Sequence, residues 1–214
     1  DRGADCWPVL QLAQEQELLL TVRAAHGNRR VDGATGSLRA EIESAPVRAQ
    51  FRLHVPARSK IKKRRRVAGK CVHRVIHRPA RFSNFKIRAK KVSLLAPDGT
   101  PFSINAVLIR EHGRTADDRI EWLLLTTHPI ATQADLRAII HGYKQRWRVE
   151  EFHRAWKNGL CSVEDNQLRS RQAVFKWATI LAAVASRAHR NTYLAREKPD
   201  GPASEEFSAQ EIQA

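Results

Sequence analysis

The sequence predicts an α/β (α+β) protein in which a strand-rich part precedes a helical part. Over roughly the first 130 residues, apolar residues alternate with polar ones or form short apolar runs, a pattern typical of strands. Farther on, apolar residues recur at helical spacing in two long segments, 133–157 and 168–195. The 214 residues suffice for one large domain or two small ones.

The first elements are short. Residues 8–16 predict a helix that carries a proline in its first turn, where proline is tolerated. Residues 17–23 predict a buried strand, and residues 24–36, which are polar with several glycines, predict a loop. Alternation within 37–55 predicts a half-buried strand.

Three later strands are predicted from their apolar residues, at 85–95, 102–110 and 119–127. The run from Pro97 to Pro101, with Asp-Gly-Thr between the prolines, joins the first two because such residues favour turns. Roughly the first 130 residues are therefore expected to be rich in strands.

Helices follow the strands. Thr132 and Asp135 resemble a capping box, with Asp in place of the usual Glu or Gln, so a helix is expected from about 133 to 157. Gly159 is expected to end it. A second long helix is predicted at 168–195, and the polar tail after Pro199 is expected to be mobile.

The charge balance points to nucleic acid. Lys and Arg number 38 against 22 Asp and Glu, giving a formal charge of +16. Lys and Arg side chains that neutralise nucleic-acid phosphates release counterions, and this release favours binding, so a protein that binds nucleic acid commonly carries such an excess. An acidic membrane surface is the rival, although no apolar run is long enough to span a bilayer. The segment 58–91 holds no Asp or Glu; it is expected to contact the DNA backbone, or else to form a solvated loop.

The cysteines exclude a disulfide framework. There are three, Cys6, Cys71 and Cys161, and they are far apart, which suits a reducing cytosol. Cys71 with His73 and His77 fits no strong zinc pattern. The chain has no methionine and begins at an aspartate, so we expect a piece of a longer protein.

One face of the 133–157 helix carries a candidate site. At about 100° per residue, Tyr143, Arg146, Glu150 and Lys157 fall within an arc of roughly 60° on one helix face. A carboxylate can bind a divalent metal, and flanking Arg and Lys can grip phosphates. The alternative is the ordinary polar face of an amphipathic helix, whose charges pair for a few tenths of a kcal/mol.

The same four residues resemble a known family. Tyr-x2-Arg-x3-Glu-x6-Lys, within the string RWRVEEFHRAWKNGL that starts at Arg146, resembles the YREK signature of bacterial insertion-sequence DDE transposases. The opening Asp1-Arg2-Gly3-Ala4-Asp5 is similar to the family motif around the second catalytic aspartate, which Asp1 matches. The resemblance therefore extends beyond a single motif.

Two strands carry further similarities. Arg23 matches an arginine that contacts transposon-end DNA, although Ala25 replaces a second basic residue expected two positions later. Trp122, in the string EWLLLT, matches a tryptophan that stacks a flipped base. Trp147 is expected either on the DNA-facing side of its helix or in the core, whereas Trp156 and Trp177 are expected in the core.

The resemblance implies a fold and its divisions. Members have an RNase H-like core, a mixed sheet with helices, interrupted by a large β-strand insertion. Here residues 1–23 would belong to that core, 24–130 to the β-rich insertion, 131–198 to the helical end of the core, and 199–214 to the polar tail.

The resemblance also implies an activity, cut-and-paste DNA transposition by metal-dependent phosphodiester hydrolysis and strand transfer. Three carboxylates hold two divalent ions, Mg²⁺ with Mn²⁺ as an alternative; Asp1 and Glu150 would be catalytic residues and metal ligands. The implied DNA contacts are Tyr143, Arg146, Lys157, Arg23, Trp122 and Trp147.

The remaining implications concern partners. The implied partners are double-stranded DNA, at the transposon ends and at the target, and a second copy of the full-length protein in a homodimer. No membrane is involved, and the implied location is the bacterial cytoplasm, in association with the nucleoid. The family's first aspartate would lie before Asp1, so this fragment alone is expected to be inactive. The alternative is a truncated, catalytically inactive DNA-binding derivative.

Overall fold

A computed structural model of the chain describes residues 2–33, 36–67, 70–115 and 119–213, without the side chains of 2, 58–67, 70–78 and 197. The chain divides into two compact units, Asp1–Tyr143 and Lys144–Ala214. Among the helices described, none is long and apolar enough to cross a membrane.

The first unit is built on a five-stranded sheet whose described strands all pair antiparallel. The strand order is β1-β7-β6-β5-β2. A separate hairpin, β3-β4, is inserted between β2 and β5. The strands are β1 Thr21–Arg23, β2 Val47–Val55, β3 Arg58–Val67, β4 Lys70–Arg78, β5 Arg81–Leu95, β6 Pro101–Glu111 and β7 Glu121–Thr126.

Each face of this sheet packs against helices. Helices α1 (Trp7–Glu15) and α2 (Leu38–Ser44) bury Leu10, Leu38 and Ile42 against one face. Helix α3 (Gln133–Lys144) covers the other face. Its buried residues and their sheet partners include Leu136, Ile139, Ile140, Phe85, Ile87 and Ile109.

The second unit is helical. It consists chiefly of α4 (Trp147–Lys157) and α5 (Arg171–Glu197). The Trp156 indole Nε1 donates to the Ala178 carbonyl at 3.1 Å, and α5 begins with the Ser170 hydroxyl accepting from Ala173 N. The α/β class with strands first and helices last is therefore confirmed, in a form consistent with an RNase H-like DDE domain, although the described sheet is antiparallel rather than mixed.

The strand predicted over 37–55 is partly wrong, because its first part is helix α2. Leu38 and Ile42 are both buried, and their i, i+4 spacing suits a helix face as well as a strand face. The Ser37 hydroxyl caps this helix by accepting from Ala40 N at 3.4 Å. Strand β2 begins only at Val47.

The buried strand predicted over 17–23 is also shorter than expected. Helix α1 ends through a turn in which Leu18 N donates to Ala13 O at 2.8 Å and Glu17 adopts a left-handed φ of 52°. Leu18 and Leu19 are then exposed, at 49% and 71%. Pairing with β7 begins at Thr21.

The single helix predicted over 133–157 is wrong, since the chain forms α3 and α4 with Gln145 and Arg146 in a turn between them. The capping box does open α3, because Thr132 N donates to Asp135 Oδ2 at 2.8 Å and Asp135 N to Thr132 Oγ1 at 3.1 Å. Helix α4 restarts with i to i−3 bonds from Arg148 N and Val149 N, the tighter geometry of a helix end.

Two smaller expectations also change. Trp177 was expected in the core but is 42% exposed. The tail after Pro199 carries a 3-10 turn, Ala203–Glu205, and helix α6, Ala209–Gln213. Arg190 on α5 forms an ion pair with Glu206 and the Arg187 guanidinium lies 5.4 Å from the Phe207 ring, so the tail has specific contacts.

Candidate active site

Glu150 lies in the first turn of α4, where its carboxylate is paired with one cation. The distance between Arg146 Nη1 and Glu150 Oε1 is 2.6 Å, across an i, i+4 spacing. The Glu150 side chain is 43% exposed, so a metal ion or a phosphate can reach it. Arg146 keeps helical backbone angles, φ −50° and ψ −37°, which preserves this spacing although it precedes α4.

Lys157 ends the same helix seven residues after Glu150. That spacing places the two residues about 20° apart around the helix axis, on one face. The Lys157 ammonium pairs with Glu164 at 3.2 Å, and both side chains are about half exposed. Because exposed pairs of this kind are weak, Lys157 can exchange its partner for a phosphate.

Trp147 is on the surface of the second unit. Its side chain is 54% exposed, and the Arg146 guanidinium carbon lies 4.8 Å from its ring centroid. The core position offered as an alternative for Trp147 is therefore excluded in this chain. Contact between Trp147 and DNA remains a prediction.

Trp122 and Tyr143 are brought together in the first unit, a contact that the sequence did not reveal. Their ring centroids are 5.1 Å apart with an edge-to-face angle of 66°, and both rings pack partly buried against the sheet core. Arg23 contacts the start of the same strand, where its Nη2 donates to the carbonyl of Glu121, the residue before Trp122, at 3.1 Å. Arg23, Trp122 and Tyr143 thus form one neighbourhood.

A charge network borders that neighbourhood. Glu121 accepts from Arg39 at 2.5 Å and from Arg110 at 2.6 Å. Burial raises the pKa of Glu121, but these hydrogen bonds and charges outweigh it and hold the pKa below the usual value. Glu43, paired with the same two arginines, also has a lowered pKa for the same reasons. Both carboxylates are therefore neutralised by arginine rather than free for a metal.

Asp5 is a buried acid whose role the sequence analysis missed. Its carboxylate lies 2.6 Å from Arg29 Nη1 and accepts from Ala25 N at 2.7 Å and His26 N at 3.2 Å. Arg29 also packs over the Trp7 ring at 4.6 Å. No periodic pattern marks Asp5; it anchors the loop after β1 and so supports the strand that carries Arg23.

Of the two predicted metal ligands, Asp1 and Glu150, the structure describes only Glu150. Asp1 lies outside the described residues, as do the side chains of Cys71, His73 and His77. Within the described part of the chain, no group of three or more His, Cys, Asp or Glu is placed to hold a metal. Glu150 offers the oxygen ligand that a hard divalent ion prefers, so it fits one ligand position of such a site.

Comparison with known families concerns the domain as a whole. The family model described as "Transposase DDE domain" matches residues 16–186, which is most of the chain and includes β1 through the first half of α5. DDE transposases act on DNA and use divalent metal ions to cleave it. The chain belongs to the transposase DDE domain family.

Proposed function

We propose that this chain is part of a bacterial insertion-sequence transposase of the YREK-signature type, which moves an element by cut-and-paste transposition. The observation that supports this most directly is the arrangement on α4, where an exposed Glu150 lies between Arg146 and Lys157. The described ion-pair partners of both cations are exposed or half-exposed carboxylates, so the cations are available to phosphates.

Each residue of this arrangement has a role in the proposal. Glu150, together with Asp1, supplies carboxylate ligands for Mg²⁺, or for Mn²⁺ in its place. The ions activate the attacking water or 3′-hydroxyl and stabilise the leaving oxygen. Arg146 binds a phosphate through its planar fork, and Lys157 binds one as a point charge.

The aromatic residues complete the DNA contacts. Trp147, exposed beside Arg146, contacts the backbone or a base near the cleavage position. Trp122 stacks an extruded base, with Tyr143 at its edge and Arg23 nearby. The substrates are double-stranded transposon ends and target DNA, and the full-length protein acts as a homodimer in the bacterial cytoplasm, associated with the nucleoid.

The test compares the chain alone with the chain extended by the codons that precede Asp1 in its gene. Each protein is incubated with DNA carrying the element's ends in Mg²⁺. We expect the extended protein to cleave and the 214-residue chain alone not to, on the proposal that the family's first aspartate lies among the added residues. Cleavage by the chain alone that Glu150→Ala abolishes would overturn the second expectation.

A neighbouring acid provides the matched control. Glu150→Gln should abolish cleavage by the extended protein, whereas Glu151→Gln should retain it. Glu151 is equally charged and also exposed, but its carboxylate lies 3.9 Å from His189 Nδ1 instead of beside an arginine. If both variants cleave like the parent, Glu150 is not a metal ligand and the proposal is wrong.

A second candidate is a truncated derivative that binds element ends without cutting them. The formal charge of +16 supports DNA binding whether or not the chain cleaves DNA. A start codon close before Asp1, with DNA binding but no cleavage in either Mg²⁺ or Mn²⁺, would select this candidate.

A further inference from the structure

Part of one sheet face in the first unit is left open by α1 and α2. The pairing register places Arg52 opposite Asn84, His54 opposite Phe82 and Gln50 opposite Lys86, so these side chains share a face of β2 and β5. Arg52, His54, Phe82 and Asn84 are exposed, while Lys86 is half-buried. We call Arg52, His54, Phe82 and Lys86 the open patch.

Phe82 is the unusual member of the open patch. Its ring is 64% exposed, whereas Phe51 and Phe85 on the opposite face of the same two strands are 5% and 2% exposed. The Arg52 guanidinium carbon lies 5.3 Å from the Phe82 ring centroid, and the His54 ring lies 5.3 Å away at 54°. An exposed aromatic ring beside planar cationic or polar groups is typical of a surface that stacks bases.

The open patch is also positively charged. Among the described residues, no carboxylate forms an ion pair with Arg52 or Lys86. The acid on the same sheet face, Glu121, is already paired with Arg39 and Arg110. Anions are therefore attracted to this face, where the described carboxylates offer Arg52 and Lys86 no ion pair.

The chain beside the open patch adds to this charge. The β3-β4 hairpin leaves the sheet two residues beyond β2 and returns two residues before β5, at the end where His54 and Phe82 lie. The segment 58–78 contains ten Lys and Arg and no Asp or Glu. The sequence thus continues the excess of positive charge into the segment that follows the open patch.

We propose that the open patch binds single-stranded DNA, with Phe82 stacking an unpaired base and Arg52 and Lys86 contacting the flanking phosphates. An unpaired strand fits best because a base within a duplex hides its face from a flat protein surface. The inference rests on the proposed function for its choice of DNA as ligand, but it involves neither Glu150 nor a metal. In a transposase, such a surface would hold a strand that has been separated at an element end.

The experiment measures binding of the 214-residue chain to a fluorescein-labelled oligothymidylate of about 15 nucleotides, in EDTA, by fluorescence anisotropy. Phe82→Ala should weaken binding by about 5- to 150-fold, the loss expected for one stacked base. Phe82→Tyr should bind like the parent because it retains the aromatic face. Binding to the corresponding duplex should change much less.

The chain offers a matched control in helix α5. Phe175 is 59% exposed and has the Arg171 guanidinium carbon 5.3 Å from its ring centroid, so it reproduces the exposure and cation contact of Phe82. Phe175→Ala should leave affinity unchanged. If both substitutions weaken binding equally, the effect is not specific to Phe82. If neither substitution weakens binding, Phe82 does not stack a base. Either result overturns the proposal.

A second readout reports stacking directly. With 2-aminopurine in the oligonucleotide, binding to the parent and to Phe175→Ala should quench fluorescence, whereas Phe82→Ala should lose this quenching at saturating protein. Tighter binding to the matching RNA would reassign the patch to RNA. Because the assay contains no metal, its failure leaves the Glu150 test unaffected, and failure of the Glu150 test leaves Phe82 binding measurable.

Discussion

Arg146 and Glu150 form an ion pair of 2.6 Å that bridges the start of α4, just after the break in what was expected to be one helix. The YREK signature therefore does not lie on one continuous helix face. Tyr143 lies near the end of α3. Arg146, Glu150 and Lys157 keep their helical spacing, because helical backbone angles resume at Arg146.

The Arg146–Glu150 pair is expected to matter little for stability. Arg146→Gln should change the free energy of unfolding by less than about 0.5 kcal/mol, because the pair is partly solvated and spans one helical turn. The same substitution in the upstream-extended protein should reduce DNA cleavage at least about tenfold by removing a phosphate contact. Urea denaturation and a cleavage time course measure the two effects. A loss of about 2 kcal/mol with normal cleavage would instead assign the pair a structural role.

Trp122 and Tyr143 are expected to be energetically coupled. The edge-to-face contact at 5.1 Å predicts a coupling free energy of about 0.5–1.5 kcal/mol in a double-mutant cycle of Trp122→Ala and Tyr143→Ala. Urea denaturation of the four proteins measures it. Trp7→Ala combined with Tyr143→Ala is the control, since Trp7 packs instead on Phe102 at 5.9 Å. Additive effects in the first cycle would show that the two rings do not support each other.

Sequence reasoning recovered the elements whose signals are local. The β5 and β6 strands, the turn around Gly99 with its φ of 84°, and the capping box at Thr132 all depend on neighbouring residues, and all were expected. The long α5 was also expected, because its apolar residues recur over many turns. The family signature likewise occupies a short, contiguous string.

What the sequence did not reveal depends on contacts between distant residues. Leu38 and Ile42 satisfy both strand and helix spacing, so only the sheet face above them decides for a helix. The contact of Trp122 with Tyr143 joins residues on β7 and α3, and Asp5 meets Arg29 across the loop after β1. No local sequence pattern predicts such contacts between distant residues. The open patch around Phe82 likewise becomes apparent only when the pairing register of β2 with β5 is known.

Trp156 is expected to be a structural residue. Its indole donates to the Ala178 carbonyl at 3.1 Å and its ring stacks on Phe152 at 6.1 Å, so it joins α4 to α5. Trp156→Phe should lower the free energy of unfolding by about 1 kcal/mol, because the part-buried hydrogen bond between the two helices is lost. Trp147→Phe, a substitution of an exposed ring, should have an effect within about 0.5 kcal/mol. Equal effects in thermal or urea unfolding would contradict the assignment.

Glu111 should contribute strongly to the stability of the first unit. Its fully buried carboxylate pairs with Arg81 at 2.7 Å and accepts from the Ser83 hydroxyl at 2.6 Å and from Ile120 N at 2.8 Å. Removing one charge from a buried pair leaves the other uncompensated, so Glu111→Gln should destabilise the protein by about 3–5 kcal/mol. Glu41→Gln, which breaks an exposed pair with Lys90, should cost less than about 1 kcal/mol.

The pH dependence of this effect follows from the carboxyl group. Burial raises the pKa of Glu111, but the hydrogen bonds from Ser83, Ile120 and Arg81 outweigh it, and the folded-state pKa lies below the ordinary value of 4.5. A lowered folded-state pKa stabilises the protein fully above the unfolded-state pKa, and this stabilisation is lost as the pH falls through the folded-state value. The difference in unfolding free energy between the parent and Glu111→Gln should therefore be constant near neutral pH and shrink below about pH 4.5. A difference that stays constant into acid would mean that the carboxylate contributes through its shape and hydrogen bonds rather than through its charge.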